Sequence, residues 1–286
     1  MPSARDLQRQ INTVKNQSRV FSALQTVSSV KFRKAEARVK RARPYADNVE
    51  QMMRDVAGSA SGDLPLLVGR EVNRVAVCTL TADRGLAGGF NAQALRRTVS
   101  LRNEKDRGAL QVASGRKAVA FFRFRRVDLA EVFTGFTDNP TYEKAREIGG
   151  TLTNLFEDEE ADQVYLVYNR FESALNQTPV VKRLLPVAEE GDEDEGDGAS
   201  YMEYVPDAET VLKRLVPRYV ETMVWQALLE GAAGEHGARM TAMKNATDNA
   251  NDLVRDLTLQ RNKARQAQIT QEILEIVGGA EALSAG

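Results

Sequence analysis

Stepping alternately four and three residues from Leu7 picks out Leu7, Ile11, Val14, Ser18, Phe21, Gln25, Ser28, Phe32, Ala35, Val39, Ala42, Ala46, Val49, Met53 and Val56, and twelve of these fifteen positions are apolar. A heptad seam held in register for that long predicts a coiled-coil helix from about Ser3 to Val56, ~80 Å long at 1.5 Å per residue. Val20, Leu24, Val27 and Val30 add a second apolar strip beside it. Pro44 falls inside the helix and removes one backbone hydrogen bond there, and Gly58–Gly62 supplies the stop. The other end of the chain mirrors this. Met243, Ala246, Ala250, Leu253, Leu257, Gln260, Ala264, Ala267, Gln271 and Leu274 follow the same stepping, eight of ten apolar. The pattern upstream is helical in a shifted register and contains Pro217, Gly231, Gly234 and Gly237, so one helix is expected from about Ala208 to Val277. Helices of that length bury their seams on each other or on partners. Since both flank one middle segment, the simplest arrangement is antiparallel, with bulky Phe and Val of the first facing alanines of the second.

Between the helices the periodicity changes. Strands are expected at 72–80, 109–113, 127–133, 163–170, 180–185 and 201–205, with helices at 92–103, 116–122 and 142–157. Strands alternating with helices argue for a largely parallel, Rossmann-like sheet. The fold class is thus α/β plus long helices: an antiparallel coiled coil of N- and C-terminal helices (1–57 and 207–286) with a central α/β domain (70–206).

Charge alters the picture in two places. Residues 1–43 hold eleven Lys or Arg against Asp6 and Glu36, a local balance of +9, while 189–197 hold seven acids and no base. A one-sided basic arm faces nucleic acid, anionic lipid or acidic protein, or is a solvated helix face. The acidic run lacks the ligand spacing of an EF-hand. Cys78 is the only cysteine and His236 the only histidine. No intrachain disulfide, multi-cysteine zinc site or histidine-based triad can be assembled from them. Cys78 lies in the apolar run Val75–Leu80 and reads as a buried structural thiol. No stretch approaches the ~20 apolar residues of a transmembrane helix, and the N-terminus lacks a signal-peptide core. The chain reads as cytosolic, or held at a membrane only through partners.

Two motifs remain. Asp83–Asn91 (Asp-Arg-Gly-Leu-Ala-Gly-Gly-Phe-Asn) lies between a strand and a helix, where small glycine loops present amides to phosphate. It is neither Gly-x-Gly-x-x-Gly nor a P-loop, and the plainer account is a tight strand-to-helix turn whose glycines allow close approach by the chain or a partner. The second is the amide- and hydroxyl-rich surface of Arg239, Lys244, Asn245, Thr247, Asp248 and Asn249, then Arg265, Gln266, Thr270, Gln271 and Glu272. Such groups suit directional contacts with a partner. No convincing catalytic constellation emerges: Asp83 with Asp128, or the run Glu157–Glu160, are the imaginable acid–base or metal pairs, and the latter run, at a helix end before a strand, reads as solvated charge.

Arg239–Asn249 and Asn262–Gly278, together with Asp83–Asn91 and Arg43-Pro-Tyr-Ala46, resemble the gamma subunits of F-type ATP synthases over nearly the whole chain. The resemblance implies a noncatalytic central-stalk rotor shaft without a cofactor, inside a hexamer of alpha and beta subunits. Its globular end would meet the epsilon subunit and the c-ring. It implies no nucleic acid partner, and a peripheral position on the cytoplasmic side of a bacterial plasma membrane, reached only through the complex. Arg265, Gln266, Thr270 and Glu272 match positions that grip a beta-subunit loop. Leu24, where methionine is usual, and Arg239 match coupling positions, and Ala87, where cysteine is common, matches a position near an acidic lever of beta. Tyr201 and Tyr204 fall in the segment matching a c-ring and epsilon contact, with Val205 in place of a frequent acid; Arg261 stands where an aromatic is common. A single cysteine excludes the dithiol switch of plastid relatives. Two other readings remain open at this level: a nucleotide-binding α/β enzyme, from the glycine loop, and a basic coiled-coil nucleic-acid binder, from the basic arm.

Overall fold

The computed structural model describes residues 3–59, 69–105, 108–187 and 208–284. Helix α1 spans Ala4–Ser59 and runs through Pro44. The α/β segment follows as β1 (Val75–Leu80), α2 (Phe90–Lys105), β2 (Ala109–Ser114), α3 (Arg116–Phe124), β3 (Leu129–Phe133), α4 (Tyr142–Glu157), β4 (Gln163–Phe171) and β5 (Gln177–Leu185), and helix α5 closes the chain at Ala208–Ser284. Every strand and helix expected among the described residues is present, α5 running seven residues beyond its expected end at Val277. The strand expected at 201–205 and the acidic run 189–197 lie outside the described residues. The chain forms two compact units, Ser28–Arg239 and the pair Met1–Val27 with Met240–Gly286, so the division falls within both long helices.

In the first of these units the sheet order is β3-β2-β1-β4-β5. β1 pairs parallel with β2 and β4, and β2 with β3; β5 alone is antiparallel, joined to β4 by a hairpin at 172–176. All six β1 residues are buried, as a central parallel strand covered on both faces should be. Val75 and Val77 pack toward Leu101 of α2, and Ala113 packs with Leu95 of α2 and Val119 and Phe122 of α3. Ala76, Cys78 and Leu80 face the other way, into the main core with Ile148, Leu152 and Phe156 of α4, Met53 of α1, and Val220 and Met223 of α5. Burial pushes the Cys78 thiol up to about 12, so it is an inert core side chain.

The same unit ties α1 and α5 together. Arg43 donates to Glu230 at 3.1 Å and to the Phe171 carbonyl at 3.0 Å, and Glu230 accepts from the Phe171 amide at 3.0 Å. Lys182 donates to Glu50 at 2.7 Å. Two of the α5 glycines mark close approaches. A Cβ on Gly234 would stand 2.9 Å from the Phe90 ring, and one on Gly237 would stand 3.1 Å from the Ala174 backbone and 3.3 Å from Phe32. Lost helix propensity there admits the β4–β5 hairpin and the start of α2 against the helix.

In the other unit the helix pair is antiparallel: Gln8 accepts from Arg261 at 2.6 Å, and Ser18, further along α1, donates to Asn251, further back on α5. Leu7, Ile11 and Val14 pack with Val254, Leu257 and Ala264. The α1 seam is as expected, each position through Met53 being buried or half-buried. The α5 seam is not. Leu253 is 47% exposed and Gln260 is exposed, while Val254 and Arg261 turn inward. The seam therefore runs Met243, Thr247, Ala250, Val254, Leu257, Arg261, Ala264. Beyond Ala264 it ceases: Ala267, Gln271 and Leu274 are exposed.

Candidate partner-contact site

The site residues fall in both units. In the pair Met1–Val27 with Met240–Gly286, Arg265, Gln266, Thr270 and Glu272 are all exposed. Their hydrogen bonds are internal to the helix: Thr270 donates back to the Gln266 carbonyl at 3.0 Å, and Glu272 accepts from Gln268 at 3.0 Å. The Arg265 guanidinium has no partner among the described residues. Around them stand apolar side chains, of which only Leu274 lay on the expected seam: Ile269 at 46% exposed, Ile273 at 54%, Leu274 at 65%, Ile276 at 71% and Val277 at 54%. A contiguous exposed apolar surface marks an interaction site. The signal was present as Ile269, Ile273 and Ile276 at helical spacing, but a repeat read as an internal seam hides it. On α1 of the same unit, Leu24 is half-buried while its neighbours Val20 and Val27 stand 57% and 54% exposed.

In unit Ser28–Arg239 the loop after β1 holds the second group. This is the point where the sheet reverses direction, between β1 and β4, the place where doubly wound sheets bind ligands. Beside it, over the ends of β1, β2 and β3, the chain places its own carboxylate. Asp83 accepts from the backbone N–H groups of Arg116 at 3.0 Å, Gly135 at 2.9 Å and Thr137 at 3.1 Å, and from the Thr137 hydroxyl at 3.1 Å. Burial alone would raise the Asp83 carboxyl, but these donors outweigh it and hold it below the usual range. The amide of Arg116 at the start of α3 is thereby taken up by Asp83. Asn91 accepts from the Ala82 amide at 2.8 Å and closes the other side of the loop.

Ala87 is 3% exposed, packed with Ala82, Phe90 and Ala238. The outward part of the loop is instead Arg84 and Leu86, the latter 61% exposed with φ 61°. Arg239 is also inward, at 8% exposed. It donates to Glu235 at 2.6 Å and, through Nε and Nη2, to the Gly85 carbonyl at 3.2 and 3.1 Å. Beside it His236, 1% exposed, meets the Asp138 carbonyl at 3.3 Å, and Lys31 pairs with the Asp138 carboxylate. Burial raises the Glu235 carboxyl against the pull of Arg239, and burial lowers the His236 imidazole.

Part of the basic arm has internal work. Lys31 and Arg43 pair with Asp138 and Glu230, Lys40 pairs with Glu36, and Arg38 donates to Asn139 and the Pro140 carbonyl. The arm is therefore no uniform phosphate-binding strip. Tyr201 and Tyr204 lie outside the described residues. Among the described residues no group of three or more His, Cys, Asp or Glu is placed to hold a metal, and no helix is long and apolar enough to cross a membrane.

The ATP synthase family matches residues 3–283. The chain is 67% identical over 291 residues to the ATP synthase gamma chain of Rubrobacter xylanophilus, with 100% of both chains covered. This chain belongs to the ATP synthase gamma-chain family. Another gamma chain, from Pelotomaculum thermopropionicum, is 45% identical over 286 residues, covering 99% of this chain and 100% of the relative. Among solved structures, a chain of the Euglena gracilis mitochondrial ATP synthase (OSCP/F1/c-ring, rotational state 3) superposes with a TM-score of 0.74 at 18% identity, covering 99% of this chain and 95% of that one. A chain from the central stalk and c-ring of the Tetrahymena thermophila mitochondrial ATP synthase gives 0.62 at 21% identity, covering 79% and 99%. At those identities the likeness concerns the gamma-chain fold: two long helices around a small, mostly parallel sheet.

Proposed function

We propose that this chain is the noncatalytic central-stalk subunit of a rotary ATP synthase, coupling rotation of a membrane c-ring to conformational change in the catalytic beta subunits. Full-length membership of the gamma-chain family supports the reading, and one observation of the fold carries it: α5 continues past the end of its internal seam with polar and apolar side chains both exposed. Arg265, Gln266, Thr270 and Glu272 would contact beta there, and Leu24 would lie at a coupling position on α1. At the loop after β1, the contact falls to Leu86 and Arg84, above the buried Ala87. Partners are the alpha and beta subunits, epsilon and the c-ring, the last two through the segment holding Tyr201 and Tyr204. Membrane association is peripheral, on the cytoplasmic side, and reached through the complex.

Such a subunit touches no substrate. It acts by contacting the states of a catalytic subunit unequally, since a ligand shifts an equilibrium only by its differential affinity. Reversing a population from 1:99 to 99:1 takes about 5.5 kcal/mol, within reach of a few charge-assisted hydrogen bonds and a buried apolar contact. Reconstitution tests it. Co-expressed with the alpha and beta subunits of its own organism, the chain should co-purify in one complex with ATPase activity, and the complete enzyme should pump protons on ATP hydrolysis. No association with alpha and beta would overturn the reading.

A further inference from the structure

The resemblance puts Arg239 at a coupling position, yet its guanidinium is turned into the protein. It reaches the Gly85 carbonyl with two nitrogens and Glu235 with one of them. Glu235 is 1% exposed, one helical turn before Arg239 on α5. Nothing else in the loop is fastened to α5 by a charged group among the described residues; Ala87 meets Ala238 only by packing. Leu86, directly after the gripped carbonyl, projects outward in a left-handed conformation that a leucine adopts only when its neighbours hold it.

We propose that Glu235 and Arg239 form a buried clamp that sets the height of the 83–91 loop on α5, so that both are positioning residues and Arg239 acts on a partner through Leu86. This deepens the proposed function and rests on it. The order of events is mechanical. Glu235 fixes the rotamer of Arg239, the fork of Arg239 fixes the Gly85 carbonyl, and the Gly85–Leu86 peptide fixes where the exposed leucine stands. The Asp83 carboxylate anchors the loop two residues before Gly85, from the other side, so the loop is held at both ends of a three-residue span.

The clamp is tested on the full chain with Ala87→Cys as a reporter of loop opening. The buried Cys78 gives a silent background. Glu235→Gln and Arg239→Lys should each raise the maleimide labelling rate of that cysteine at least about tenfold. Arg239→Lys keeps the charge opposite Glu235 but loses the fork to Gly85, so it serves even where Glu235→Gln folds poorly. Parent-rate labelling in Arg239→Lys overturns the clamp. In the assembled enzyme, Glu235→Gln should lower proton pumping per ATP hydrolysed, and adding Leu86→Ala should produce little further loss, as coupled residues are non-additive. Losses that multiply would show that Arg239 acts elsewhere and overturn the route through Leu86. Failure of the parent chain to assemble would instead remove the proposed function while leaving the labelling result standing.

Discussion

His236 carries its proton on Nε2, because the Asp138 carbonyl that faces this nitrogen accepts and cannot donate. Its Nδ1 is buried without a partner among the described residues. Burial holds the imidazole below its ordinary value; Asp138 pulls it up, while Arg239 and Lys31 push it down. The unfolded chain takes up a proton near pH 6.5 and the folded chain does so only at lower pH. Stability should therefore fall as pH drops through the mid-6 range, by up to about 1.4 kcal/mol per pH unit. Glu235, whose folded carboxyl is raised, works in the opposite sense as it takes up a proton, so the difference between parent and variant is the clean quantity. In thermal melts at pH 7.5 and 5.5, His236→Gln should show the smaller drop; equal drops would refute a neutral buried imidazole. Asp83 makes a second case. Removing it in Asp83→Ala strands the amides of Arg116, Gly135 and Thr137, and a lower urea midpoint corresponding to about 2 kcal/mol is expected. The sequence displayed Asp83 as the first letter of a glycine loop and as a carboxylate to set beside Asp128. Its donors come from α3 and from the loop before α4, so no local pattern could reveal that the loop holds its own anion.

At the scale of elements, the long helices and the alternating strands were legible because periodicity and burial agree over many residues. The α5 register was not. Two steppings pass through Met243, Ala250, Leu257 and Ala264. One adds Ala246, Leu253 and Gln260; the other adds Thr247, Val254 and Arg261. Counting apolar residues favours the first, yet the fold uses the second, because α1 supplies Gln8 to receive the Arg261 guanidinium and lets a polar residue occupy the seam. The partner helix decides, and it lies far away in sequence. The two registers make opposite predictions at Leu253. Leu257→Ala, in the seam of both registers, should destabilise the helix pair by about 2 kcal/mol, and Leu253→Ala separates them: in the observed register it should stay within about 0.5 kcal/mol of the parent. Denaturant melts followed by helical circular dichroism separate them, and a larger loss from Leu253→Ala would restore the first register.

For the whole molecule, the informative residues are those whose burial the chain leaves incomplete. Leu7, Ile11 and Leu257 satisfy each other, but Ile269 and Ile273 sit on helix that no other described segment covers. A side chain with no contact in the free chain contributes nothing to its folding, so replacing it should leave folding almost untouched. If the same side chain is covered in an assembly, its loss appears entirely in association. The double variant Ile269→Ser, Ile273→Ser should therefore melt within about 0.5 kcal/mol of the parent. Its affinity for the alpha and beta subunits should weaken by roughly 2 to 4 kcal/mol of lost burial, about 30- to 1,000-fold in dissociation constant. Retention on size-exclusion chromatography at falling concentration reads the second quantity. Unchanged retention would mean that the end of α5 is not the gripping surface, and the coupling contacts would then have to lie on Leu24 and the loop after β1.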